Sequence, residues 1–227
     1  MIIFLVIFFA AFAALIIYTS RRNSNFSKKL TAFAVSNGWT SATESPLVPL
    51  MAKINYRSAK SLIEGTIGSQ KFWLYICNPP TFQTGRQSEQ STAMTMLSVS
   101  LPLNLPSLLL IPHAGVFGAA FDMEASRTFG LTKMTLEGDF SQRVKAYTED
   151  GSQTEVLEYL TPDVMVALED KLTYPTLFSG QYVSVCGNLP IQDIKTAQAM
   201  IQDAQTLIND LQERLRVSAS LPAAAPN

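Results

Sequence analysis

The chain opens with a long apolar run. Residues 2–18 carry no charged and no strongly polar side chain, and twelve of them are Ile, Leu, Val or Phe. A helix of this length extends over about 25 Å, and over roughly 30 Å when it continues to Ser20, which matches the hydrocarbon core of a bilayer. Each of these large apolar residues gains about 0.3 to 0.6 kcal/mol near the membrane centre. We therefore predict a transmembrane anchor over residues 1–20.

Two other interpretations of this run are less compatible with the residues. A cleaved signal peptide has a positive segment before a shorter apolar core, whereas only the α-amino group precedes Ile2 as a positive charge. A helix in the core of a soluble protein usually has a polar stripe, and this run is apolar all round. An uncleaved anchor is thus the interpretation that the sequence favours.

The flanks of the run predict its orientation. No Lys or Arg precedes it, and Arg21, Arg22, Lys28 and Lys29 follow it closely. The positive-inside bias keeps such a cluster in the cytoplasm. We expect a single-pass protein of the cytoplasmic (inner) membrane, with its amino terminus outside and the following domain in the cytoplasm. The four basic residues are candidate contacts with the lipid bilayer, each contributing about 1 kcal/mol near an anionic surface.

The charge of the chain is distributed unevenly. Residues 21–60 hold seven basic residues and one acid, whereas the chain from Ser61 onward holds ten basic residues and seventeen acids. Because the basic part adjoins the anchor and the domain is acidic, the pattern suits an anionic lipid surface and argues against nucleic acid as a partner. Cys77 and Cys186 stand far apart, so neither a disulfide framework nor a thiolate metal site is expected.

The anchor is followed by a short connecting region. Residues 21–50 predict a juxtamembrane helix and a linker, since Phe26, Leu30 and Phe33 recur at helical spacing. Asn37-Gly38 is a helix stop, and residues 45–49 (SPLVP) are typical of an extended linker.

Residues 51–217 predict an α+β soluble domain with a mostly antiparallel sheet. Two strands flank Gly68-Ser69, a good hairpin turn, and the second of them is apolar on both faces, which is typical of a central strand. Residues 78–91 are polar and contain a double proline, which indicates a loop. Ser107 to Ile111 predicts a separate short strand, and Ser179-Gly180 predicts the turn of a last hairpin.

Three helices are expected in the second half of the domain. Ser152 and Glu155 have capping-box spacing, and Thr161-Pro162 is a typical helix start. A long helix over residues 190–217 has a heptad seam, formed by Ile194, Ala197, Ile201, Ala204, Ile208, Leu211 and Leu215. This seam fits either an amphipathic helix packed on the sheet or a coiled coil through which the chain associates with itself. Residues 218–227 are expected to form a disordered tail.

The domain lacks a set of residues typical of catalysis. Its one histidine, His113, has no nucleophile signature near it, and the acid pairs Glu137/Asp139 and Glu149/Asp150 fall at expected turns. Residues 115–118 (GVFG) lack the lysine and third glycine of a phosphate loop. The aromatic residues around Trp73 are not interleaved with Arg or Lys, which favours the core. We therefore predict no catalytic, cofactor-binding or metal-binding residue.

Three short motifs resemble those of a known group of proteins. They are Leu136 to Phe140 (LEGDF), Tyr147 to Asp150 (YTED) and Leu160 to Met165 (LTPDVM). In this order they resemble small uncharacterised membrane-anchored proteins of candidate-phylum (Saccharibacteria-type) bacteria, which are distantly similar to a bacterial domain of unknown function. The resemblance implies a bacterial cytoplasmic membrane and an α+β domain, and it implies no activity.

These observations lead to three functional hypotheses. The first is a non-catalytic cytoplasmic module, tethered to the membrane, that acts through protein or membrane-surface contacts. The second is a binding domain for a lipid or small ligand, with the sheet and residues 78–91 forming the mouth of its site. The third is an enzyme of unrecognised type. A deep pocket with convergent polar groups would favour the second or third hypothesis.

Overall fold

A computed structural model describes residues 26, 28–42, 46, 48–50, 57–78, 94–113, 125, 129–136, 138–169, 171–187 and 193–220 of the chain. They form an α+β fold in which helices pack on a six-stranded antiparallel sheet. In chain order the elements are α1 (residues 28–36), β1 (Arg57–Ile67), β2 (Gln70–Asn78), β3 (Met94–Pro112), β4 (Thr132–Met134), α2 (Phe140–Arg143), β5 (Val144–Thr148), α3 (Gln153–Tyr159), α4 (Pro162–Glu169), β6 (Thr176–Gly187) and α5 (Ile194–Ser220).

The membrane anchor predicted for residues 1–20 lies outside the described residues. Among the helices that are described, none combines the length and the hydropathy that crossing a bilayer requires. The predicted fold class is confirmed for the domain itself, with its antiparallel sheet, its packed helices and its long final helix.

The hairpin predicted around Gly68-Ser69 is present. β1 and β2 pair antiparallel up to Ile67 and Gln70, which flank the two turn residues. β2 is also buried on both faces as expected, since Phe72 and Leu74 belong to one apolar cluster of the core and Tyr75 to another. A strand that is apolar on both sides can be covered on both sides, so β2 separates two layers of the core.

The strand β3 organises the whole sheet. Along one edge its first half pairs with β2 and its second half with β5, while β6 runs along the opposite edge. The segment predicted as a separate strand from Ser107 is the second half of this one strand. Pro102 and Pro106 fall where the pairing with β6 shifts register, between Ser100 and Leu108. Proline cannot donate a ladder hydrogen bond, so the prolines bend the strand without ending it.

The hairpin predicted at Ser179-Gly180 is wrong. β6 passes through both residues as one continuous strand, and Gly180 pairs with Leu105 at the bend of β3. Gly180 has φ +58°, and a Cβ atom at this position would lie 2.8 Å from Cγ of Pro49. The positive φ therefore forms a bulge inside a strand, where the sequence alone suggested a turn.

Strands β4 and β5 pair antiparallel, and the single turn of α2 lies between them. α4 begins at Pro162 as expected. The capping box expected at Ser152 is not formed, because the Ser152 side chain makes no cap hydrogen bond to α3. α2 and α4 are joined by an ion pair between Arg143 Nε and Glu169 Oε1, 2.9 Å apart, and α5 is joined to this layer by the ion pair of Lys171 with Asp210.

α5 packs its apolar seam on the first face of the sheet, which we call the helical face. Its buried residues are Ala197, Met200, Ile201, Ala204, Leu207, Ile208 and Leu211. Of the two alternatives, the amphipathic helix packed on the sheet therefore describes α5. Because these seam residues are buried against the sheet of the same chain, self-association through them is not shown. The helix also continues to Ser220, three residues beyond the predicted end, and the remaining tail lies outside the described residues.

The carboxylate of Asp193 caps the amino terminus of α5. Its Oδ1 accepts a hydrogen bond from the backbone N–H of Thr196 at 2.8 Å, and its Oδ2 accepts one from the Thr196 hydroxyl at 2.8 Å. The first of these bonds is the main reason why the pKa of Asp193 lies below its ordinary value of 3.8. A lowered pKa stabilises the folded state above the ordinary value, and this contribution is lost as pH falls through the folded value.

Replacing Asp193 with alanine should lower the free energy of unfolding by about 1 kcal/mol near neutral pH, because the helix loses its cap. Asp193→Asn keeps a capping oxygen but loses the charge, so its stability should lie between those of the wild type and Asp193→Ala. Urea denaturation of the full-length protein in detergent measures the free energy of unfolding of both variants. The difference between wild type and Asp193→Ala should shrink once the pH falls below 3.8 and the carboxyl is protonated. A difference that is constant from neutral to acid pH would contradict the cap.

Helix α1 is part of the core of the domain. Leu30 and Ala34 are buried in the cluster on the helical face, and Phe33 packs against it. The helix ends at Asn37-Gly38 as predicted, and Trp39 then packs edge-on against Phe33 and Phe72, with ring centroids 5.5 Å and 4.9 Å apart. The segment assigned to a linker contributes to the core as well. Val48 and Leu50 are buried in the cluster on the opposite face of the sheet, which we call the second face. The packed domain therefore includes residues before position 51.

Candidate functional site

The predicted membrane contacts Lys28 and Lys29 are exposed at the start of α1. The buried side of the helix is formed by Leu30 and Ala34, so both lysines project away from the sheet. Val35, about two helical turns further on, is 68% exposed. Arg21 and Arg22 lie outside the described residues. The structure therefore places two of the four candidate residues, and it places both on the outer surface of a helix that is fixed to the domain.

No described residues assemble into a typical catalytic site. His113 is exposed at the end of β3, and its backbone N–H donates to the carbonyl oxygen of Arg143 at 2.7 Å. Asp139 and Asp150 are exposed at turns, as predicted, and Glu137 lies outside the described residues. Within the described part of the chain no three His, Cys, Asp or Glu residues come together in a way that could hold a metal ion.

A buried chain of hydroxyls crosses the second face of the sheet. Tyr75 Oη lies 2.8 Å from Ser98 Oγ, and Ser98 Oγ lies 2.7 Å from Ser184 Oγ. The three residues stand on neighbouring strands, and both serines have no exposed surface. A serine needs an adjacent base and access to substrate to act as a nucleophile, and hydroxyl neighbours supply neither. The chain satisfies polar groups inside an apolar layer.

The thiol of Cys186 lies in the same layer. Its residue is 2% exposed, and burial raises the pKa of the thiol to about 12. The thiolate is the reactive form of cysteine, so this side chain is inert at neutral pH. The side chain of Cys77 lies outside the described residues.

The aromatic residues singled out in the sequence belong to the core or its border. Phe72 and Tyr75 are buried, while Trp39 and Trp73 are half-buried. Trp73 meets Tyr182 at a centroid distance of 6.0 Å across β3, and Nζ of Lys71 lies 4.9 Å from the centre of the Trp73 ring. The Trp73 ring therefore packs at the border of the core, as predicted, between Tyr182 and Lys71.

A small apolar cavity of about 30 Å³ lies under the helical layer. Its floor is the bend of β3 together with Phe178 of β6, and its roof is formed by α3 and α4, with Leu211 of α5 at one side. Ten residues line it: Leu105, Pro106, Leu108, Val156, Tyr159, Leu160, Val164, Leu168, Phe178 and Leu211. The Tyr159 hydroxyl is the one polar side-chain group among them, so the cavity offers no convergent polar groups for catalysis.

The position of the cavity differs from the ligand mouth expected from the sequence. That mouth was placed at residues 78–91, next to the first residues of β3, and residues 79–93 lie outside the described part of the chain. The cavity lies instead at the other half of β3, where Leu105 and Leu108 flank Pro106. In the sequence, Pro106 marks this half of β3, but the cavity also needs three helices that are distant in sequence.

Comparison with known proteins agrees with this fold. No protein-family model matches the chain, and no curated protein matches it. Among solved structures, the chain is similar to the crystal structure of the mycobacterial trehalose monomycolate transport factor A, TtfA, with a TM-score of 0.50 and 10% sequence identity. The similarity covers 88% of this chain and 98% of the TtfA chain. At this identity the likeness supports the α+β architecture over most of the chain.

Proposed function

We propose that the chain is a membrane-tethered, non-catalytic module that lies on the cytoplasmic side and acts through protein or membrane-surface contacts. The observation that carries this proposal is the packing of α1. The helix that follows the predicted anchor is part of the core, so the outer surface with Lys28 and Lys29 has a fixed orientation relative to the sheet. The domain therefore meets the membrane with a defined side.

The outer surface of α1 suits an anionic leaflet. Lys28, Ala32 and Val35 recur at positions that share one face of a helix, and all three are exposed. No acidic residue occurs between Phe26 and Gly38. A face with positive charge, two exposed apolar side chains and no acid is attracted to anionic headgroups, and the sequence adds Arg21 and Arg22 next to the predicted anchor.

The non-catalytic part of the proposal is supported by the described side chains. The hydroxyl chain of Tyr75, Ser98 and Ser184 is buried, the thiol of Cys186 is inert, and the cavity is apolar. The bacterial inner membrane remains a proposal that rests on the apolar run and on the resemblance of residues 136–165. The likeness to TtfA, which is named a transport factor for trehalose monomycolate, is consistent with a lipid-associated role.

A second candidate function is the binding of an apolar ligand by the domain itself. The specific observation in its favour is the cavity between β3, β6 and the three helices, whose lining is almost entirely hydrocarbon. Ligand sites are concave and predominantly apolar, and the cavity shares both properties with them.

The tether and its orientation can be tested by charge reversal. Replacing Arg21, Arg22, Lys28 and Lys29 with acids removes about 4 kcal/mol of attraction to an anionic leaflet, at about 1 kcal/mol for each residue, and also reverses the positive-inside bias. Full-length chains fused to a topology reporter at the carboxyl terminus should then move a large share of the domain to the outer side of the membrane.

A matched control reverses the charge of Lys53, Arg57 and Lys60, which are basic but distant from the apolar run. These changes should leave the topology as it is, because the bias is counted over the residues close to the span. If the four-residue variant keeps the domain in the cytoplasm, or if the full-length protein is found in the aqueous fraction without detergent, the proposal is wrong.

A further inference from the structure

Helix α3 is a short part of the cavity wall. It has seven residues, and Val156 is the residue that it buries completely. Leu157 is 49% exposed, and Ser152 provides no side-chain cap at its amino terminus. A short segment that buries one side chain completely can open locally without unfolding the sheet.

The open side of the cavity lies between α3 and the bend of β3. Of the ten lining residues, Pro106 and Tyr159 are half-buried and the others are buried. Pro106 belongs to β3 and Tyr159 is the last residue of α3. An entering group would therefore pass between these two residues, and a small outward movement of α3 would widen the passage.

The size of the cavity restricts what it can hold. A volume of about 30 Å³ is far below the roughly 150 Å³ of an apolar cavity that binds benzene. Water has the right size, but it needs two or more polar partners, which this lining does not supply. A hydrocarbon chain is slender and can enter end first, so its methyl end suits a narrow apolar cavity that opens at one side.

We propose that this cavity is a binding site for the methyl end of a single hydrocarbon chain of a membrane lipid, with α3 as its lid. The inference rests on the second candidate function and deepens it, because it names the class of ligand and the side from which the ligand enters, whereas the tether itself requires no ligand inside the domain. Burial of each methylene contributes about 0.8 kcal/mol, so the end of the chain gains affinity as α3 moves outward and more of it enters.

The test uses the full-length protein in phospholipid vesicles and a photoreactive long-chain fatty acid as the probe. One probe carries its diazirine next to the terminal methyl group, and a second carries it next to the carboxyl group. Mass spectrometry of the crosslinked peptides should place the adducts of the first probe on α3, on the bend of β3 and on residues near Leu211. The second probe should not label these segments.

Variants that fill the cavity provide the decisive comparison. Val156→Ile and, independently, Val164→Ile add one methylene to the lining, which should reduce labelling by the first probe by about fourfold, the equivalent of one buried methylene. Val183→Ile is the matched control, since Val183 is fully buried in the same cluster and does not line the cavity. Thermal unfolding shows which variants are folded, and two filling positions keep the comparison possible.

Two outcomes would overturn the proposal. One is labelling that spreads over the surface or is equal for both probes, which indicates adventitious contact with the fatty acid. The other is labelling of the cavity that both folded filling variants leave unchanged. Neither outcome depends on the orientation of the anchor, so a failure here is distinguishable from a failure of the tether.

Discussion

Replacing Phe72 with alanine should lower the free energy of unfolding by about 3–5 kcal/mol, the cost of a large cavity in a core. Phe72 has no exposed surface, and its ring meets Trp39 edge-on at a centroid distance of 4.9 Å. The loss is a large part of the roughly 5–15 kcal/mol that stabilises a typical domain. Urea denaturation of the full-length protein in detergent measures it, and circular dichroism reports whether the variant is folded without denaturant.

Phe72→Leu is the matched control for this substitution. Leucine retains much of the volume and none of the ring geometry, so its cost should be well below that of alanine. The remaining cost of Phe72→Leu then measures the edge-on contact with Trp39, which we expect to be about 0.5–1.5 kcal/mol. A cost below about 1 kcal/mol for Phe72→Ala, typical of a surface position, would show that β2 is not buried on this face.

Replacing Gly65 with alanine should disturb the attachment of α1 to the sheet. Gly65 pairs with Phe72 across the hairpin, and a Cβ atom at this position would lie 2.3 Å from Cδ1 and 2.6 Å from Cγ of Trp39. These atoms belong to a rigid indole that is packed between two other rings, so the indole must move as a whole. We expect a loss of about 1–3 kcal/mol in the free energy of unfolding. The fluorescence of Trp39, recorded in a Trp73→Phe background, should shift to the red.

Gly187→Ala provides the comparison, since Gly187 is also a strand glycine. The nearest atom to its Cβ position is Sδ of Met200 at 3.4 Å, in a flexible side chain that can give way. Its cost should therefore be the smaller of the two. If the steric account is right, Trp39→Leu should relieve much of the cost of Gly65→Ala in a double-mutant cycle. Additive costs would mean that the indole is not the obstacle.

The parts of the fold that the sequence predicted are those set by neighbouring residues. The hairpin at Gly68-Ser69, the end of α1 at Asn37-Gly38 and the start of α4 at Pro162 each follow from a few adjacent side chains. The two apolar faces of β2 and the seam of α5 follow from regular spacing. Lys28 and Lys29 are exposed on α1, and their contact with lipid stays a prediction.

The parts that the sequence did not predict depend on distant pairing. The sequence predicted a separate strand from Ser107, but pairing with β6 on the other edge keeps β3 continuous through Pro102 and Pro106. Ser179-Gly180 predicted a turn because glycine is common in turns. Only the packing of Pro49 near Gly180 and the pairing of Gly180 with Leu105 distinguish a bulge from a turn. The cavity is lined by residues of β3, β6 and three helices that are distant in sequence, so local spacing could not have indicated it.

The late position of β6 in the chain determines when the domain can fold during synthesis. Its pairs with β3 join residues as far apart as Thr95 and Gly187, and it forms the whole of one edge of that central strand. Contacts of such separation form slowly, and until they form they leave strand edges unpaired. If residues 1–20 form the predicted anchor, it would enter the bilayer while the domain is still incomplete on the ribosome. A chain truncated before Thr176 should be a target for chaperones and proteases.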